Sequence, residues 1–227
     1  MTFVNSSILR CSAFLSALLM LSTSAWSSGF YVGLGAGPET ADFNNNATVV
    51  KPGSFNVRNN GHLSGTGAFG SLFGGYFWTI KSYFLAAEAN VNISNVLSKG
   101  SNSEAIHNTY SKADYRMKRT CGLSLLPGYL FSSTTLFFAR LGYVNSNYNL
   151  STTDASLASV SKNLNGFRFG LGVSEKLSKM FSMRMEYSQA YYQSTSGTVV
   201  DVPADVTKTQ KVSPTTGQVE FALIYDV

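Results

Sequence analysis

The residues best suited to nucleophilic catalysis are two histidines and one serine. His62 precedes Ser64 in a His-x-Ser arrangement, whereas His107 lies in a polar stretch where it is expected to be solvated. A hydrolase or acyltransferase needs a nucleophile, a base and an orienting acid within hydrogen-bond reach of one another. No Asp or Glu follows His62 in the strand predicted to begin there. The sequence therefore predicts a protein that is not an enzyme.

Patterns typical of metal, cofactor or nucleic-acid binding are not found either. The two histidines, the two cysteines and the scattered carboxylates lack the spacing of metal ligands. Gly33 and Gly35 fall inside a predicted strand, where they indicate a tight interior and not a phosphate-binding loop. The charges of each long predicted loop sum to zero, so nucleic acid is not an expected partner. We predict no metal site and no cofactor.

Six charged residues share one position in the pattern, because each has the strand parity opposite to the apolar side chains. They are Glu88, Arg140, Arg168, Arg184, Glu186 and Glu220. A charge that faced lipid near the midplane would cost about 2–4 kcal/mol, least for a carboxylate. Facing inward, three guanidinium groups can bind three carboxylates, in part as bidentate pairs. The pattern predicts an interior ion-pair network, and a proton or ion path is the alternative interpretation.

One basic cluster stands apart from these six residues. It consists of Lys112, Arg116, Lys118 and Arg119. Counted from the short turn near residue 132, the cluster lies at or above the end of a membrane-spanning strand. At that height it can meet phosphates of lipopolysaccharide or anionic host glycans. Ordinary solvated charges at the rim are an equally good interpretation.

Strands must position all of these side chains, because the chain alternates apolar with small or polar residues and shows no convincing 3.6-residue period. Eight strands are predicted at about residues 28–37, 63–78, 83–96, 115–130, 136–148, 165–177, 181–193 and 212–227. Short connections lie near 79–81, 132–134 and 177–179, and long polar ones cover about 38–62, 97–114, 149–163 and 194–214. Pro127 predicts a β-bulge within its strand. The interfacial aromatic girdle is expected to include Tyr31, Trp78, Tyr83 and Tyr225.

Composition narrows the class of protein. Of 227 residues, 44% are apolar and only 13% are charged, about half the charge of an ordinary soluble domain. Abundant aromatics exclude a disordered chain, and no run of about 18 apolar residues suggests a spanning helix. The pattern predicts an all-β fold: an eight-stranded antiparallel up-and-down transmembrane β-barrel with short periplasmic turns and four long extracellular loops. Side chains fill an interior of this width, which favours a plugged core over an open pore.

The N-terminal segment is typical of an export signal. Arg10 supplies a positive charge, residues 11–21 form an apolar core, and small residues follow. We predict a cleaved signal peptide over residues 1–25 and a barrel domain over residues 26–227, with cleavage after Ser27 as the alternative. The expected location is the outer membrane.

Several strand motifs resemble those of the small outer-membrane β-barrel family that includes opacity (Opa-type) surface proteins and the OmpA transmembrane domain. They are SGFYVGLGAG (28–37), GGYF (74–77), LAAE (85–88), PGY (127–129), ARLGY (139–143), GFRFGLG (166–172) and MRMEY (183–187). The likeness covers nearly the whole chain after the signal segment. It implies the architecture strongly and the function weakly, because members serve as surface antigens, adhesins or membrane-stabilising proteins.

The expected function is that of a non-enzymatic bacterial surface protein, an adhesin or surface antigen whose loops contact the host or the environment. An envelope-stabilising structural barrel and a small gated channel remain alternatives. Expected partners are outer-membrane lipid and lipopolysaccharide, together with a host surface or matrix ligand. The barrel is expected to be monomeric.

Overall fold

The computed structural model describes residues 27–104, 109–152, 160–201 and 205–227. The predicted signal peptide over 1–25 and His107 lie outside this part of the chain. The strands are β1 (Ser27–Lys51), β2 (Phe55–Ile80), β3 (Tyr83–Ser94), β4 (Leu97–Glu104), β5 (Thr109–Leu130), β6 (Thr135–Thr152), β7 (Val160–Lys176), β8 (Phe181–Tyr192), β9 (Thr195–Asp201) and β10 (Val206–Asp226). The described residues contain no helix long and apolar enough to cross a membrane.

These ten strands form a closed ring with eight positions, which we call staves; each stave is one strand or two successive strands. Neighbouring staves pair antiparallel, and β10 pairs with β1 to close the ring. The strands β3 and β4 make one stave because both pair with β5, and β8 and β9 make another because both pair with β10. The predicted all-β, eight-stranded antiparallel barrel is confirmed.

Side chains alternate between the two faces of the barrel wall, as β8 illustrates. Met183, Met185 and Tyr187 are exposed on the outer face, whereas Arg184 and Glu186 are buried inside. An apolar outer band with a polar interior is the arrangement that a lipid bilayer requires of a barrel. Close packing inside depends on glycine: a Cβ at Gly33 would collide with the ring of Phe73, which occupies that space.

Beyond the apolar band the ring separates into two four-stranded panels. Pairing of β2 with β3 stops at Phe69 and Ser94, and pairing of β7 with β8 stops at Gly166 and Tyr192. The other staves continue outward. We call β9-β10-β1-β2 the first panel and β4-β5-β6-β7 the second panel. They are paired internally nearly to their tips.

The long predicted loops are therefore built largely as strand. Residues 38–62, predicted as a loop, instead form a β-hairpin that turns at 52–54, where Gly53 has φ of 74°. The bulge predicted at Pro127 is wrong. The register between β5 and β6 is the same on both sides of Pro127, and only the two rungs beside the imide nitrogen are missing, because proline has no N–H to donate.

Two apolar clusters fill the barrel interior, one at each end. The cluster at the end with the short turns contains Tyr31, Phe73, Ala86, Leu126, Phe138, Ala222 and Ile224. The cluster at the other end lies largely between the two panels and includes Ala41, Phe43, Tyr115, Met117, Val144, Tyr148, Leu164, Tyr192 and Val212. A layer of buried charged and polar side chains separates them, and this layer holds the first candidate site.

Candidate functional site

Arg140 on β6 is the hub of the buried charged layer. Its Nε and Nη2 donate to the two oxygens of Glu186 at 2.6 and 2.9 Å, and Nη2 also donates to Glu88 Oε1 at 2.7 Å. Arg140 and Glu88 are 2% and 0% exposed. The planar guanidinium thus makes the bidentate pairing expected of arginine, and it joins β3, β6 and β8 across the interior.

Arg184 on β8 completes the same cluster from the other side. It donates to Glu88 Oε2 at 2.6 Å and to Glu220 Oε1 at 3.2 Å. Its guanidinium carbon lies 3.9 Å from the centroid of the Phe73 ring, a cation–π contact. Tyr31, predicted in the interfacial girdle, instead points inward and donates to Glu88 at 2.9 Å. Its position on the glycine-rich face of β1 explains that inward direction.

The sixth predicted residue, Arg168 on β7, does not join the cluster. Among the described residues no carboxylate oxygen lies within 4.0 Å of it, and its Nη2 has no hydrogen-bond partner. A seventh charge, which the sequence placed in a loop, is inside the barrel. Glu39 is 3% exposed and accepts one bond from Gln218, while its second oxygen is unpartnered. The buried charged residues described are thus four carboxylates and three guanidinium groups.

The basic cluster owes its geometry to a β-bulge that sequence reasoning missed. The pairing of β5 with β6 shifts by one residue between Met117 and Thr120, both of which are buried. The extra residue leaves the consecutive side chains of Lys118 and Arg119 both exposed on the outer surface. Arg116 is also exposed and contacts Asp114 at 3.3 Å. The side chain of Lys112, the fourth predicted member, lies outside the described part.

Asparagines line the outer face beside the bulge, just above the apolar band. Asn145 and Asn147 on β6 donate to Asn165 and Asn163 on β7 at 2.7 and 3.1 Å. The hydroxyl of Tyr143, the last outward aromatic of β6, also donates to Asn165 at 2.6 Å. The asparagines recur at every second residue, a signal that the sequence offered and that sequence analysis did not use.

The structure adds an acid to the His-x-Ser pair, but from the neighbouring strand. Asp42 of β1 faces Ser64 across the sheet, and its Oδ1 lies 3.9 Å from His62 Nε2. The imidazole is 61% exposed, and no described hydrogen bond joins it to the serine hydroxyl. The three groups therefore share a face without the hydrogen-bonded chain that activates a serine. No group of three metal-ligating side chains occurs among the described residues.

The sequence matches a known family model over most of its length. The model for an outer membrane protein β-barrel domain matches residues 12–222. No curated protein sequence matches the chain.

The chain is similar to several solved structures of outer-membrane barrels. Ail, the attachment invasion locus protein of Yersinia pestis, is 11% identical, with 81% of this chain and 98% of that chain covered and a TM-score of 0.35. Neisserial surface protein A is 13% identical, with 85% and 98% covered and a TM-score of 0.39. Outer membrane protein AlkL is 14% identical, with 92% and 95% covered and a TM-score of 0.42. These likenesses concern the fold alone.

Proposed function

Because the chain belongs to the outer membrane protein β-barrel domain family, we propose that it serves at the outer membrane as a surface protein, an adhesin or surface antigen, and not as an enzyme. Family membership confirms the predicted resemblance and the outer-membrane location. The observation that carries the proposal is the pair of panels above the apolar band. They give the barrel an ordered extracellular half that exposes side chains such as Phe55, Val57 and Val200 at its tips.

The filled interior supports contact in preference to transport. An apolar cluster closes each end of the barrel, and bidentate ion pairs link its walls between them. We expect no steady conductance from the purified protein in planar bilayers. A steady conductance in the nanosiemens range would favour the channel alternative. An envelope-stabilising role predicts that deletion of the gene raises detergent sensitivity while adhesion is unchanged.

Shortening the first hairpin tests the surface-contact proposal directly. Asn46 and Asn60 are cross-strand partners, so an Asn-Gly turn can replace residues 47–59 without disturbing the strands below. The shortened protein should insert normally and show reduced adhesion to host cells or matrix. A matched control is Lys179→Ala at the periplasmic end, where no extracellular ligand can reach. Unchanged adhesion after all hairpins have been shortened in turn would contradict the proposal.

Lipopolysaccharide is the partner that we propose for the basic cluster. Lys118 and Arg119 have no described carboxylate partner and lie at the level where the apolar band gives way to asparagines. Each such cation contributes about 1 kcal/mol at an anionic membrane surface. Replacing both with Gln should therefore weaken lipopolysaccharide binding about 30-fold at low salt. Ordinary solvated charges would show no such loss.

Two further variants locate the effect at the bulge. Deleting Lys118 removes one cation and restores regular pairing while Met117 and Thr120 still point inward, so the fold should be kept. Binding should fall about fivefold, as for a single surface charge. The control removes two cations at the periplasmic end, Lys81→Gln with Lys179→Gln, and should leave binding unchanged. Equal losses in control and test would show that only net charge matters.

A further inference from the structure

The outer part of β2 has a free edge. From Phe55 to Leu63 it pairs with β1 on one side only, whereas its pairing with β3 begins lower, at Phe69. The seam between β2 and the second panel is closed at its base by a rung in which Asn95 bonds both backbone groups of Ala68. Above that rung, one further bond, from the Ser98 hydroxyl to the Ser64 carbonyl, is described. Alternate residues of this nine-residue stretch thus present unpaired backbone groups on that side among the described residues.

This edge lacks the devices that usually protect an exposed strand. Proteins shield such edges with proline, with clustered charge, with bulges or by keeping them short. The sequence from Phe55 to Leu63 is FNVRNNGHL, which has no proline and a single Arg. Phe55 is 45% exposed and Val57 54% exposed. A Cβ added at Gly61 would meet only Asn45 of the neighbouring strand β1, at 3.8 Å, so among the described residues that face of β2 is open at Gly61.

We infer that this edge binds an extended segment of a partner protein by strand addition. The inference rests on the proposed surface function and specifies how contact is made. Backbone hydrogen bonds supply affinity in this mode, and alternate side chains supply specificity. Phe55 and Val57 share one face of β2, and Arg58, which has no described carboxylate partner, lies on the other. The segment that fits alternates apolar residues with acidic ones.

A second copy of the same protein is a poorer occupant. Two barrels inserted in one membrane point the same way, so a two-fold axis along the membrane normal would pair their β2 edges in parallel. Parallel pairing is slightly less stable per residue, and the same edge of a second copy, FNVRNNGHL, has no carboxylate to offer Arg58. A flexible acidic segment can pair antiparallel and place a carboxylate beside Arg58.

The test uses the full-length barrel in detergent micelles and a labelled nine-residue peptide that alternates Val and Glu. Fluorescence anisotropy should detect binding, and hydrogen exchange should slow at amides within residues 55–63. A peptide with the same side chains, N-methylated at alternate residues, cannot form the ladder and should bind at least about tenfold more weakly. The variant Arg58→Glu should lose about fivefold for the Val–Glu peptide and gain for a Val–Lys peptide.

Each outcome bears on the inference. Equal binding of the N-methylated peptide, absence of binding to either peptide, or unchanged preference in Arg58→Glu would overturn it. If adhesion falls after the first hairpin is shortened while the peptides do not bind, the surface function stands and strand addition fails. If the peptides bind as expected but adhesion is unchanged after each hairpin is shortened, the β2 edge can accept an added strand and the adhesin proposal fails.

Discussion

The replacement Glu88→Gln tests whether the buried charged layer holds the barrel together. The carboxylate accepts bonds from Arg140 at 2.7 Å, from Arg184 at 2.6 Å and from Tyr31 at 2.9 Å, and its side chain is fully buried. Glutamine has nearly the same shape, but it carries no charge and turns an N–H₂ group toward these donors. Removing one member of a buried ion pair costs about 3–5 kcal/mol, because the partner's charge is left uncompensated.

Glu220→Gln is the matched comparison within the same layer. Glu220 makes a single contact with Arg184, at 3.2 Å, and its side chain is 10% exposed. One hydrogen bond to a charged group contributes about 1.5–3 kcal/mol at most, and this one is long and partly solvated. We expect a loss of about 1 kcal/mol, and thus a gap of about 2–4 kcal/mol between the two variants.

Urea unfolding in lipid vesicles, followed by tryptophan fluorescence, measures both free energies of unfolding. A double-mutant cycle of Glu88→Gln with Arg184→Met should show a coupling of about 1–3 kcal/mol, since the two residues are in direct contact. The reasoning would be refuted if Glu220→Gln destabilised the barrel as much as Glu88→Gln did. Strict additivity in the cycle would also refute it, because the two side chains would then not act as a pair.

Three further predictions concern residues outside this pair. Arg168→Met should change the free energy of unfolding by less than about 1 kcal/mol, because no described carboxylate lies within 4.0 Å of the guanidinium; a loss above 3 kcal/mol in urea unfolding would reveal an essential pair. Gly33→Ala should cost about 1–3 kcal/mol by overpacking against Phe73, whereas Gly70→Ala, where a Cβ meets nothing within 4 Å, should cost almost nothing. His62→Ala should leave the lipid A mass spectrum of the producing cells unchanged, and altered acylation would revive a catalytic interpretation.

Parity made much of the interior predictable. In a half-buried strand every second side chain faces inward, so Glu88, Arg140 and Arg184 could be assigned to the core from alternation alone. Alternation does not determine which inward side chains touch one another, because contact depends on how neighbouring strands are staggered, and the sequence of one strand does not determine that stagger. Arg168 has the right parity and no carboxylate within reach, and the proximity of Asp42 to His62 arises only from the register of β1 against β2.

Two features of the structure do not follow from the alternation in the sequence: the continuation of β1 and the bulge in β5. The first strand is predicted to end at Gly37, yet β1 continues past Pro38 in unchanged register, with only the rungs beside the imide nitrogen missing. Glu39 therefore keeps its inward parity and becomes part of the core. The bulge after Met117 is hidden in the sequence because Tyr115 and Met117 have the same odd parity as Leu123 and Leu125, although the first two are buried and the last two are exposed on the outer face.

The height at which the ring separates follows from the bilayer. Within lipid every backbone group must be paired inside the protein, so the ring must be closed there. On β7 the outward apolar band ends at Phe167, and pairing with β8 ends at Gly166, the adjacent residue. On β3 the last outward apolar residue is Ile93, and pairing with β2 ends at Ser94. Above this level water can satisfy an open edge, so closure is no longer required. The free edge of β2 that we propose as a binding surface thus lies above the level at which the membrane requires a closed ring.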